Sequence, residues 1–182
     1  MDLAYYPNIA AKAEALGGVK QTVFNKKLLE KADASWRQFS SEEIARIEQE
    51  APSAVKVGNS FVTPTAILYM IRNQHALFAI PVRDVIWVYG NVTTTRMYYF
   101  IPVSRLHQVQ LLARNGETYT LATITTGPFT RKDHCGDTIR QLQPLLQPHR
   151  KGIIFGWSQD IANYVRSNFQ AAVAMVDEKS AE

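Results

Sequence analysis

Two adjacent residues, His134 and Cys135, carry the most reactive pairing in the chain, because an imidazole beside a thiol is how cysteine nucleophiles are activated. Neighbouring residues on a helix project about 100° apart, however, so a pair at this spacing is poorly placed to share a proton. Cys135 therefore reads as an incidental helical cysteine. It is also the single cysteine, which excludes an intrachain disulfide and argues against a cysteine-built zinc site. His75, His107 and His149 fall in separate turn or strand contexts without ligand spacing, so no metal site is assigned. Gly152 and Gly156 bracket "IIF" but lack the Lys-Ser/Thr pair of a phosphate-cradling loop. The glycosylation-type triplet Asn91-Val92-Thr93 has no secretory leader before it and reads as a turn and strand. No catalytic residue and no cofactor follow from these patterns, and the chain is read as non-enzymatic. An enzyme with an unrecognised site, drawing on Cys135 and scattered His and Asp residues, is the second alternative to the reading adopted below.

Charge offers a different chemistry. The basic pairs Arg131-Lys132 and Arg150-Lys151 are candidate contacts for an anionic surface. Net charge is +4, but residues 51–152 hold 11 Lys and Arg against 4 Asp and Glu, flanked by segments with 7 against 8 and 2 against 4. Lys56, Arg72, Arg83, Arg96, Arg105 and Arg114 are scattered and are expected to point in several directions around a closed sheet. The consecutive aromatics Tyr98, Tyr99 and Phe100 cannot all share one strand face, so they read as sheet wall rather than a base-stacking platform, and no nucleic acid is expected as a partner.

The elements that would hold these residues change character along the chain. Pro7 is placed to open a helix and Gly17-Gly18 to close it. "VKQTVFNKKLLEKAD" offers Val19, Val23, Phe24 and Leu28 near helical spacing, and Ser40 with Glu43 has capping-box spacing ahead of Pro52. From Ala54 onward, β-branched and aromatic residues accumulate between the turn pairs Gly58-Asn59, Asn73-Gln74, Gly90-Asn91 and Asn115-Gly116. "QVQLLARNGETYTLATI" alternates as a hairpin, with Trp87, Val109, Leu111, Tyr119 and Leu121 expected in the core. "VIWVY" is apolar on both faces and should be covered twice. "FAIPVRDVIWV" and "YFIPVSRLHQV" echo each other, and proline at both Ile-Pro-Val steps predicts two corners between strands. About seven strands to Ile124 precede a helix in which Ile139, Leu142 and Leu146 share a face and which Pro144 is expected to kink or shorten. A short strand "IIFGW" and an amphipathic helix from Ser158, with Ile161, Val165, Phe169 and Val176 on its stripe, complete the chain.

A seven-strand meander followed by a helix is the element order of the pleckstrin-homology-like superfold. "VGNSFVTPTAILYMIRNQHALFAIPVRDVIWVYG" resembles the bacterial pleckstrin-homology-like domains, with Thr63, Ile80, Pro81, Asp84, Val85 and Val88 at the positions of their recurring pattern. The resemblance spans residues 54–147 and implies an antiparallel β-barrel or bent sheet of about seven strands followed by a helix; the helices read over 1–53 and the strand and helix read over 148–182 lie outside it and complete an α+β chain. The resemblance also implies binding rather than catalysis. Phosphoinositide-binding members carry basic residues between their early strands, whereas "VGNSFVTPT" is flanked only by Lys56, which argues against headgroup binding there. With no run near the ~18 apolar residues of a membrane span, the expectation is a cytoplasmic module. Its partner would be a protein or a second copy of itself, with an anionic membrane surface or small ligand as the first alternative.

Overall fold

The computed structural model describes residues 2–22, 25–70, 74–98 and 100–182. It divides into two compact units, residues 1–84 and 85–182. The expected barrel is not formed. Among the described residues eight strands make two separate four-stranded sheets, which also removes the pleckstrin-homology-like architecture that the sequence resemblance implied.

In the first unit three helices, α1 (Pro7–Ala15), α2 (Lys26–Trp36) and α3 (Ser41–Glu50), precede the antiparallel strands β1 (Val55–Val57), β2 (Ser60–Val62), β3 (Ala66–Met70) and β4 (Leu77–Pro81). Ile9, Trp36 and Ile47 from the helices, with Phe39 from the turn between α2 and α3, bury against Phe61, Leu68, Met70 and Leu77 of the sheet. The predicted capping box is present: Glu43 N donates to Ser40 Oγ at 3.2 Å and Ser40 N to the Glu43 carboxylate at 2.8 Å. Glu48 of α3 accepts the free amides of Asn8 and Ile9 at 2.7 and 2.9 Å, so a carboxylate from one helix satisfies the N-terminus of another. Trp36 Nε1 donates to the Leu77 carbonyl at 3.0 Å and ties α2 to β4. The second helix starts at Lys26, later than its sequence pattern suggested, and Val23 and Phe24 of that pattern lie outside the described residues. So does Asn73 of the expected Asn73-Gln74 turn, and so does Arg72.

The second unit contains β5 (Val85–Met97), β6 (Ile101–Ala113), β7 (Thr118–Thr126), α4 (His134–Leu146), β8 (Ile154–Phe155), α5 (Gln159–Ser167) and α6 (Phe169–Ala181). The sheet order is β7-β6-β5-β8, antiparallel except for the parallel pair β5 and β8. Helix α4 covers one face with Leu142 and Leu146, while Ala162, Val165, Val173 and Val176 of α5 and α6 pack on Ile86 and Trp87. The apolar run "VIWVY" is thus covered on both faces, as its composition requires. Trp87, Val109, Leu111 and Leu121 are buried, and Tyr119 is half-buried with its hydroxyl on Glu117.

Three local expectations are corrected. Gly90-Asn91 is no turn but lies inside β5, where Gly90 lets α4 approach: a Cβ there would sit 2.5 Å from Cys135 Cβ. The second half of the echo is no corner either. Pro81 does end β4 ahead of a single 3-10 turn, but Pro102 is the second residue of β6, close to a bulge where its missing N–H is tolerated. The C-terminal amphipathic stripe is split at Asn168, whose φ of −136° and ψ of 47° end α5 and start α6.

Candidate functional site

Strands β5 and β6 have 13 residues each, and their neighbours are shorter. β7 pairs with β6 from Arg105 onward, and β8 pairs with β5 at Trp87 and Val88. The remainder of the β5–β6 pair, from Thr95 opposite Ser104 to Met97 opposite Ile101, has no flanking strand among the described residues. It projects as a two-stranded arm. A bulge between Thr95 and Arg96 sits against Pro102 and Val103, which increases twist and re-aims the side chains at the end of the arm.

The arm closes through Tyr98, whose φ of 48° is in the left-handed region. A tyrosine there costs on the order of 1 kcal/mol that glycine or asparagine would spare. The side chains at the tip are apolar and unburied: Tyr98 is 72% exposed and Phe100 is 74% exposed, with Met97, Ile101 and Val103 also exposed. This corrects the reading of Tyr98 and Phe100 as sheet wall; Tyr99 lies outside the described residues. A contiguous exposed apolar group is informative where a lone exposed leucine is not. Beside it, Val92, Thr93, Thr94, Arg96 and Tyr98 line an open concavity of about 610 Å³. At the base of the arm Arg105 donates to the Thr130 carbonyl at 3.0 Å, which holds the segment bearing Phe129, itself 82% exposed.

The chemistry-bearing residues gather near the same end of the sheet. His107 of β6 is buried, its Nε2 lies 3.1 Å from Thr126 Oγ1, and its Nδ1 has no hydrogen-bond partner among the described residues. His134 meets it edge-on with ring centroids 5.2 Å apart, a juxtaposition that sequence spacing could not reveal because the two lie on different elements. Burial, followed by the neighbouring His134 and Arg105, pushes the His107 pKa below its usual 6.5, against the opposing pull of Asp133. The folded state therefore favours neutral His107. Its contribution to stability is complete above pH 6.5 and falls as the pH drops below that value, by at most about 1.4 kcal/mol per pH unit. Melting curves at pH 7.5 and 5.5 should show a smaller acid-induced loss in His107→Phe than in the parent; equal losses would mean that His107 does not titrate unfavourably on folding.

Cys135 is buried, with Sγ 3.6 Å from the Gln108 carbonyl and 3.9 Å from that of Asn91. Burial, then the Asp133 charge, pushes its thiol pKa up, which disfavours the thiolate a nucleophile needs. His134 is turned toward His107. Among the described residues no group of three or more His, Cys, Asp or Glu side chains could hold a metal ion.

The candidate surface residues are separated by the fold. Arg131 and Lys132 are exposed on the segment before α4, with Lys132 3.5 Å from Asp137, and Lys151 is exposed in the following loop. Arg150 is buried and donates to the Val85 carbonyl at 2.8 Å and to Asp177 at 2.7 Å, so it acts as an internal clamp rather than a surface contact. The arm itself was missed because no Gly or Asn marks its turn; the signal available was the uninterrupted "RMYYFI" between two β-rich runs. No family model, curated protein or solved structure was found to match this chain.

Proposed function

We propose that this chain is a non-enzymatic interaction module of the cytoplasm that engages its partner through the β5–β6 arm. The observation that carries this reading is the apolar tip formed by Met97, Tyr98, Phe100 and Ile101, held away from the core on a ribbon that has no flanking strand among the described residues. Solvating these side chains is unfavourable by about 25 cal/mol per Å² of apolar surface, so a surface that covers them gains directly. The arm is also a poor place for chemistry, since its concavity presents hydroxyls and one guanidinium but no base or nucleophile. Among the described residues no helix is long and apolar enough to cross a membrane.

Position-specific photo-crosslinking in cells tests the reading without naming the partner in advance. A photoreactive amino acid at Phe100 should give defined adducts, while the same group at Lys151 or Asn163, exposed elsewhere on the unit, should not. Equal adduct yields at all three positions would remove the arm from its assigned role.

A further inference from the structure

The charge around the arm points to a particular kind of partner. From residue 85 to residue 132 the chain carries Arg96, Arg105, Arg114, Arg131 and Lys132 against a single acid, Glu117. Glu117 and Arg114 flank the β6–β7 turn at Asn115-Gly116, the end of the sheet opposite the arm. The end bearing the arm is therefore basic up to the start of α4. There Asp133 caps the helix through Gly136 N at 2.9 Å, and Asp137 is engaged by Arg140 and Lys132. Arg96, Arg105 and Arg131 remain in excess.

Their arrangement has two layers. Tyr98 and Phe100 lead at the tip and Phe129 flanks the base, while Arg96 and the hydroxyls of Thr93 and Thr94 stand behind them in the concavity. Aromatic side chains in front and guanidinium and hydroxyl donors behind match the layering of a bilayer surface, where the acyl boundary lies beneath the phosphates. A second copy is a poorer occupant, since isologous pairing of two arms would bring Arg96 and Arg105 toward their counterparts, while the nearest acids, Asp133 and Asp137, are already engaged at the start of α4.

Resting on the reading of the arm as the binding element, we infer that the arm docks on an anionic lipid surface. Tyr98 and Phe100 enter the boundary between headgroups and acyl chains, and Arg96, Arg105 and Arg131 contact lipid phosphates. Binding at a single shallow tip is reversible, with electrostatic attraction and apolar insertion each insufficient alone.

Cosedimentation of the full chain with vesicles, at 0.15 M salt where screening acts over about 8 Å, decides the matter. Vesicles of phosphatidylcholine with about 30% phosphatidylserine should bind the protein at least 10-fold more tightly than phosphatidylcholine alone. Arg96→Gln and Arg131→Gln should each weaken this by roughly 5-fold. Tyr98→Ser with Phe100→Ser should weaken it by 10-fold or more without changing the melting temperature, because neither side chain is packed. Inorganic phosphate at millimolar concentration should not compete, since the bilayer and not a free anion is the ligand. Equal sedimentation with neutral and anionic vesicles, no sedimentation, or undiminished binding by the arm variants would overturn the assignment. Concentration-dependent dimers lost in the Tyr98/Phe100 double variant, or adducts at Phe100 with protein alone, would also overturn the lipid assignment while leaving the arm as the binding element. Uniform photo-adducts together with absent vesicle binding would overturn both.

Discussion

Gly152→Ala should be among the most destabilising single-methyl additions in the chain, lowering stability by about 3 kcal/mol or more. Gly152 lies in the loop between α4 and β8, buried against α6. A Cβ there would fall well inside contact distance of the Val176 carbonyl oxygen and 2.8 Å from Ser180 Oγ. The first of these is backbone in the middle of a helix turn, which cannot swing aside as a side-chain end would. The same place is held by a short relay in which Gly152 N donates to Ser180 Oγ at 3.0 Å and Ser180 Oγ donates to the Val176 carbonyl at 2.6 Å. Displacing α6 to admit a methyl group breaks this relay and opens the packing of Val176 and Val173 on Trp87. For a chain of this size the melting temperature should fall by about 6–12 °C. Lys151→Ala, one residue away and exposed, should stay within about 0.5 kcal/mol of the parent. A Gly152→Ala melting temperature within 2 °C of the parent would mean that α6 does not pack on this loop.

The second large effect is expected at Arg150. Its Nε donates to the carbonyl of Val85 at the start of β5, and its Nη2 donates to Asp177 of α6, so one buried guanidinium joins the α4–β8 loop to both elements. Arg150→Met keeps much of the stem but leaves the Val85 carbonyl without that donor, and should cost about 3 kcal/mol in urea unfolding. Asp177 is not abandoned, because Arg114 also pairs with it, which keeps the expected loss below that of an isolated buried ion. Arg150→Lys should recover less than half of the loss: an ammonium is a single point donor and cannot reproduce the fork that reaches two acceptors. The acid side of the profile carries a second signature. Partial burial raises the Asp177 pKa, but hydrogen bonds and charge from Arg114 and Arg150 overcome this and hold it below its ordinary 3.8. A depressed carboxyl stabilises the fold above the unfolded value and loses that contribution as pH falls through the folded one. Arg150→Met should therefore flatten the stability profile below pH 3.8, and an unchanged acid limb would place Asp177 outside the clamp.

These two residues show how one sequence pattern can hide different roles. Arg150-Lys151 reads as a basic pair of the same kind as Arg131-Lys132, and composition offers no means of telling them apart. The fold buries the first arginine and exposes the other three cations, because Val85 and Asp177, distant in sequence, converge on one side chain and supply the partners that a buried guanidinium needs.

What the linear sequence determined is local: the Ser40-Glu43 capping box, Pro7 and Gly17-Gly18 bounding α1 and the Asn115-Gly116 hairpin all follow from interactions within a few residues, while the apolar run "VIWV" showed that both faces of its strand need cover but not which helices supply it. Strand partnership was not local. A meander of seven strands can close on itself or divide, and the same alternation of apolar residues satisfies either outcome, so the break into two sheets at Asp84 and the parallel pairing of β8 with β5 were decided by tertiary packing. The approach of His134 to His107 was likewise decided there, through the helix that Gly90 admits to the sheet. So was the arm: Tyr98 and Phe100 carry the composition of a core strand, and they are exposed because β5 and β6 outrun their neighbouring strands, a difference in length that pairing alone creates.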